Sequence, residues 1–174
     1  AGGWTVNRET QMLDDRTTGQ EVTYTDPATG LEARCIVTSY ADCPAVDWVL
    51  QLRNEGQQDS PILESIQPLD SCFDASAEGT ILHHSLGESN SADSFAPVDQ
   101  LLATDDLEPF VLAPTGGRSS DGHMPFFNLD WHAGGVVIAI GWSGQWEASF
   151  QAVGDGRVRV RAGMQHTYLR LPPG

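Results

Sequence analysis

Turn signals recur about every ten residues along this chain, and the runs between them alternate apolar and polar side chains. A strand places successive side chains on opposite faces, so a period of two suits a sheet that is wet on one side and buried on the other. GRVRVRAGM (156–164) shows it plainly, with Arg157, Arg159 and Arg161 on one face and Val158 and Val160 on the other. EVTYT (21–25) and LEARCIVTSY (31–40) flank the turn sequence DPATG (26–30) and read as a hairpin with a longer loop. AVDWVLQLRN (45–54), PILESIQPLD (61–70), TILHHSL (80–86) and LEPFVLAP (107–114) extend the pattern, with Pro61 where a missing N–H does least harm. Residues 71–106 read as looser, Ser- and Asp-rich sequence around TILHHSL, and PTGGRSSDGHMP (114–125) reads as a loop. FFNLDWH, GGVVIAIGW, QWEASFQAV, GRVRVRAGM and HTYLRLPP make the C-terminal third the most regular. No segment sustains a helical period, and no internal repeat appears. The expectation is an all-β chain, one antiparallel β-sandwich domain over residues 1–174 with little or no helix.

IGWSGQW (140–146) puts two of the chain's five tryptophans around a Ser-Gly pair. With Ser143-Gly144 as a two-residue turn, Trp142 opposes Gln145, Gly141 opposes Trp146 and Ile140 opposes Glu147. Parity then gives one wholly apolar face of Val137, Ala139, Gly141, Trp146, Ala148 and Phe150, with the Trp146 indole over Gly141. Trp146 is thereby assigned to the core, and Trp142 to the other face beside Gln145. An indole left in water forgoes roughly 2–4 kcal/mol of burial, so Trp142 calls for cover. A loop or sheet of this chain, a neighbouring domain or a sugar ring would supply it. A three-residue turn would flip one strand and undo the assignment.

The formal charge is −15, with nine arginines and no lysine. Phosphate backbones and anionic lipids repel such a chain, which argues against nucleic acid and membrane surfaces as partners. No apolar run approaches the ~18 residues of a membrane span, and the N-terminal AGGWTVNRET lacks the pattern of a signal peptide. Cys35, Cys43 and Cys72 form no CxxC pair or zinc-type cluster. A Cys35–Cys43 disulfide and three separate, mostly buried thiols are both compatible with the spacing, which leaves the compartment open.

Catalytic patterns are sparse. Glycoside hydrolysis needs two carboxyl groups at a set separation, but with 24 acidic residues some pair always lies close, so abundance carries no signal. Asp14-Asp15, Asp42, Asp59, Asp105-Asp106 and Asp155 read as solvated turn residues. His83 and His84 are adjacent on a strand and point to opposite faces, so they cannot hold one ion together. His123, His132 and His166 are scattered, and no metal or other cofactor is implied. There is no GxSxG elbow, phosphate-binding loop or dinucleotide fingerprint. In GGRSSDG (116–122), Arg118 and Asp121 suit a mutual ion pair, a ligand or a neighbouring domain.

TYTDPATGLEARC (23–35), PAVDWVLQLRNEG (44–56), SPILESIQPLD (60–70), GGRSSDGHMPFFNLD (116–130), IAIGWSGQW (138–146) and AGMQHTYLRLPPG (162–174) occur in one order and spacing. Together they resemble the N-terminal β-sandwich domain, of super-sandwich type, of α-galactosidase-like (melibiase-type) enzymes of glycoside hydrolase family 36. The resemblance implies an accessory domain that precedes a catalytic (β/α)8 barrel of the same protein, with both catalytic aspartates in the barrel. No catalytic residue is therefore expected in this chain. Trp142, Gln145, Arg118 and Asp121 are the candidates for a domain interface or for the rim of a galactoside site. The alternative is a free-standing carbohydrate-binding or protein-interaction module.

Overall fold

A computed structural model describes residues 3–75, 79–103, 108–131, 134–154 and 156–174. Asp105, Asp106, His132 and Asp155 lie outside the described residues. The elements are β1 (Thr5–Met12), β2 (Thr17–Thr25), β3 (Leu31–Tyr40), β4 (Val46–Asn54), β5 (Leu63–Glu64), β6 (Leu69–Asp74) and β7 (Thr80–Ser85), followed by β8 (Pro97–Leu102), β9 (Phe110–Leu112), β10 (Phe126–Trp131), β11 (Gly134–Ala139), β12 (Trp146–Ala152), β13 (Arg157–Met164) and β14 (Tyr168–Leu169). No helix occurs among the described residues, and the strand pairs of the three four-stranded sheets are antiparallel. The chain is all-β, with antiparallel sheets packed as a sandwich, as expected. It divides into two compact units, residues 1–63 with 168–174, and residues 64–167.

The first unit is built on the meander β1-β2-β3-β4. The hairpin expected around DPATG forms, with Thr25 opposite Glu32. Asp26 organises its turn: Oδ1 accepts the Ala28 N–H at 3.0 Å and Oδ2 the Thr29 hydroxyl at 2.6 Å. The register lines Val22, Cys35 and Leu50 across one face, and Glu21, Ile36 and Val49 across the other. Asn54, buried at the end of β4, is satisfied on three sides. Its amide donates to the Gln58 and Leu171 carbonyls at 2.7 and 2.9 Å and its oxygen accepts the Gly56 N–H at 2.9 Å. The C-terminal residues are thus held against residues 54–60 of the same unit.

The second unit contains the sandwich. One sheet has the order β11-β10-β7-β8, the other β6-β13-β12-β9. Phe127 of the first meets Trp146 and Phe150 of the second, rings edge-on, with centroids 5.6 and 5.2 Å apart. Leu82, Leu129, Ala148 and Val160 close the core around them. The alternation of β13 is as expected: Val158 and Val160 are buried, and Arg159 turns outward to grip Asp70 through two hydrogen bonds of 2.7 Å.

Four expectations fail. The 140–146 stretch is not a hairpin, because β11 and β12 belong to different sheets and the chain between them crosses from one to the other. Parity cannot be carried through such a corner: Trp146, Ala148 and Phe150 are core, but Val137 is 75% exposed and Ala139 is exposed too. Gly141 meets nothing where a side chain would stand, and Trp146 pairs instead with Met164. Residues 61–70 give only the two-residue β5 and the start of β6. The 71–106 region holds much of β6 and all of β8, and β1 also went unforeseen. Cys43 and Cys72 are exposed rather than buried, and all three cysteines are free.

Phe150→Ala is expected to cost about 3–5 kcal/mol, whereas Val137→Thr on the exposed face should stay within about 0.5 kcal/mol. Urea unfolding of the 174-residue chain checks both.

Candidate functional site

Antiparallel alternation brings four connections of the second unit to one end of its sandwich: residues 86–96, 113–125, 140–145 and those following β13. All four sequence candidates lie there. Gln145 binds the connections together. Its Oε1 accepts the Gly117 N–H at 3.0 Å, and its Nε2 donates to the Pro114 carbonyl and to Gln165 Oε1, both at 2.6 Å. The Trp146 indole N–H reaches out of the core to the Ser119 carbonyl at 2.7 Å, and the Ser119 N–H donates to the Ser143 carbonyl at 3.3 Å. The 113–125 loop and the 140–145 corner are therefore one construction.

Within that loop Thr115 N–H donates to the Asp121 carbonyl and Asp121 N–H to the Arg118 carbonyl, at 2.9 and 3.1 Å. The Asp121 carboxylate overlies Gly116, where a methyl group would collide with it, and Gly117 takes a φ of +79° that other residues resist. Arg118 and Asp121 pair at 3.5 Å, with Arg118 largely in water and Asp121 mostly covered. Trp142 is 50% exposed, and its indole folds back over Gly144, where a methyl group would stand 2.9 Å from Nε1. The structure thus assembles Gln145, Arg118 and Asp121 around one loop and sets Trp142 on the corner fastened to it.

The 86–96 connection is zipped to the same loop, Gly87 N–H to Gly122 O at 2.9 Å and Glu88 N–H to Ser120 O at 2.7 Å. It adds Phe95, an exposed aromatic at φ +66°. A bulky residue in the left-handed region costs about 1–2 kcal/mol and marks a constrained position. Sequence reading missed it, since no local pattern announces a positive φ in Ser-Phe-Ala. A cleft of about 250 Å³ lined by Gln100, Leu102, Phe110 and Phe150 lies at the opposite end, on the far ends of β8 and β12.

The two adjacent histidines do face opposite ways. His83 lies on the outer face, Nδ1 2.6 Å from Asp99 and Nε2 3.6 Å from Asp130, and the hydrogen bond to Asp99 raises its pKa. His84 points into the sandwich beside Phe110 and His123, with ring centroids 6.0 and 5.8 Å away. Burial pushes its pKa down, and His123 adds to the effect. Among the described residues no three His, Cys, Asp or Glu side chains group as metal ligands.

No family model matches this sequence, and no curated protein matches it in sequence. Solved structures do match in fold. The family 36 α-galactosidase AgaA from Geobacillus stearothermophilus superposes with a TM-score of 0.77 at 18% identity, over 98% of this chain and 26% of that one. AgaB of the same organism gives 0.76 at 17%, over 98% and 25%. The α-galactosidase from Lactobacillus brevis gives 0.72 at 13%, over 98% and 25%. The class defined is an all-β fold that matches about a quarter of the length of each of these family 36 α-galactosidases, in agreement with the resemblance read from the sequence. This chain spans a fraction of the length of those enzymes.

Gln145→Ala removes three hydrogen bonds, each worth about 1 kcal/mol net, and should free the loop. The Gly117 amide is then expected to exchange faster with solvent while amides of β12 and β13 keep their protection.

The histidines should respond to pH in opposite senses. The folded pKa of His83 lies above the unfolded value of about 6.5, so its stabilisation is complete below that pH and is lost as pH rises through the folded value. The folded pKa of His84 lies below it, so stability present above about 6.5 is lost as pH falls through the folded value. His83→Gln should abolish the alkaline loss and His84→Phe the acid one, read from urea midpoints between about pH 5 and about pH 8.

Proposed function

We propose that this chain is the non-catalytic β-sandwich part of an α-galactosidase-like glycoside hydrolase. It packs on a catalytic (β/α)8 barrel of the same polypeptide and lends its loop end to the rim of a galactoside site. The observation that carries this reading is the match over 98% of this chain to only 26% of the family 36 α-galactosidase AgaA, variants of which were solved in complex with raffinose and with stachyose. The loop end supplies suitable chemistry. Aromatic faces stack on the C–H edges of a sugar ring, and Trp142 offers one, while Arg118 presents donors to hydroxyl groups. Gln145 is fully engaged in the scaffold and acts as a positioning residue. Asp121 anchors Arg118.

In a full-length parent enzyme, Trp142→Ala is expected to raise KM for raffinose-type substrates roughly three- to tenfold with kcat little changed, since the stacking acts equally on bound substrate and transition state. Unchanged KM, kcat and assembly would remove the rim assignment. The half-exposed Trp142 on a rigid corner also favours a second reading, a free-standing carbohydrate-binding module. Calorimetric titration of the 174-residue chain with galactosides decides between them, since the accessory-domain reading expects no binding by this chain alone.

A further inference from the structure

The two outer faces of the sandwich in the second unit are built differently. The outer face of β6-β13-β12-β9 is a wet ladder of Asp70, Asp74, Arg157, Arg159 and Arg161, with Val111 at its margin. The outer face of β11-β10-β7-β8 is mostly apolar. Register places Ala139 beside Phe126, Val137 beside Asn128, and Ile81 beside Leu101 on that face. Val137, Leu101 and Phe126 are exposed by 75, 56 and 54%. In the middle of this face His83 sits between Asp99 and Asp130. A sandwich gains nothing by leaving Phe126, Val137, Ile81 and Leu101 in water on either side of that polar centre, and such exposure marks a surface that another body covers.

The acidic centre limits what can cover it. One imidazole stands between two carboxylates, so burying the group leaves a surplus negative charge, and a buried uncompensated charge is strongly unfavourable. An apolar lid alone therefore does not fit. A second copy of this chain would bring its own surplus acid from a molecule carrying −15, and like charges are disfavoured across an interface. Area argues the same way. Four strands about 4.8 Å apart and about 20 Å long present roughly 400 Å², half of the ~800 Å² per partner of a stable association between free proteins. A face of that size suffices for a partner tethered in the same polypeptide, where effective concentration replaces area.

We infer that the outer face of β11-β10-β7-β8 is the docking surface for the remainder of the same polypeptide, which lays an Arg or Lys against Asp99 and Asp130 and apolar side chains on Phe126, Val137 and Leu101. The inference rests on the reading of this chain as part of a larger enzyme and names the face and the chemistry by which it is held.

Hydroxyl-radical footprinting tests it by comparing the full-length enzyme with the 174-residue chain. Phe126 and Leu101 are expected to lose their modification in the full-length enzyme, while Val111 on the other outer face keeps it. The double substitution Asp99→Arg, Asp130→Arg in the full-length enzyme should raise modification of Phe126 about thirtyfold or more, the change expected when a desolvated charge loses its partner. Asp99→Asn, Asp130→Asn, which keeps shape and adds no repulsion, should move it in the same direction. Unchanged Phe126 modification in an enzyme that hydrolyses α-galactosides would overturn this inference alone. Protection that appears in the 174-residue chain as its concentration rises would overturn it in favour of a second copy. Protection of Phe126 in a full-length protein without hydrolase activity would keep this docking face and sink the enzymatic reading.

Discussion

The buried indole of Trp146 is the interaction on which the loop-bearing end of the sandwich depends. Its ring is fully enclosed and meets Phe127 edge-on, so its position follows from the packing of both sheets. A buried N–H without a partner costs about 1–3 kcal/mol, and the Ser119 carbonyl satisfies it. Core packing therefore fixes a point in the middle of the 113–125 loop. Ser119 then holds Ser143, and Gln145 holds Gly117 and Pro114, so the exposed Trp142 and Arg118 inherit their placement from a residue that never meets solvent.

Surplus acid shapes the rest of the surface. Arg16, Arg34, Arg53, Arg118 and Arg159 each contact a carboxylate, as expected where acids outnumber bases so heavily. Exposed pairs of this kind contribute little stability, so their value lies in placement. Arg159 is the clearest case, since its two-bonded grip on Asp70 ties β13 to β6 and keeps that outer face polar. No arginine of this kind stands between Asp99 and Asp130, where a histidine does, and the apolar side chains gather around that site instead.

Much of the fold was legible because period-two alternation survives wherever one face of a strand is buried. β3 begins and ends where LEARCIVTSY does, and β13 keeps its valines in and its arginines out. β1 was illegible for the complementary reason. It is exposed along its whole length, so burial imposed no pattern on TVNRETQM. β8 hid because Leu101 stands outward where a wet face would carry a polar residue, which breaks the alternation the eye follows. The corner at 140–145 defeated parity since a hairpin and a crossing between sheets can share one turn sequence, and only long-range pairing with β13 and β10 separates them. All four candidate residues lie at one end of the sandwich, but long-range hydrogen bonds that no local pattern encodes divide their roles: Gln145 as fastener, Asp121 as anchor, Trp142 and Arg118 as the groups left outward. Phe95 could not have been found from sequence, because its signal is a backbone angle.

Identities of 11 to 18% with enzymes of the same fold show that pattern and volume, rather than particular side chains, carry this architecture. Function must then be argued from the surfaces the fold leaves uncommitted. Two such surfaces occur in the second unit, and they are joined through the backbone. Phe126 opens β10 directly after the 113–125 loop, Ala139 ends β11 directly before the Trp142 corner, and the Ile140 N–H donates to the Pro125 carbonyl at 3.0 Å between them. A body seated on the apolar face would therefore approach the loop end along its edge. That contiguity gives the outward Trp142 a physical reason to remain half uncovered in this chain: the cover for its neighbourhood and the occupant of the face would come from one partner, and the acidic centre at His83 sets the charge that partner must carry.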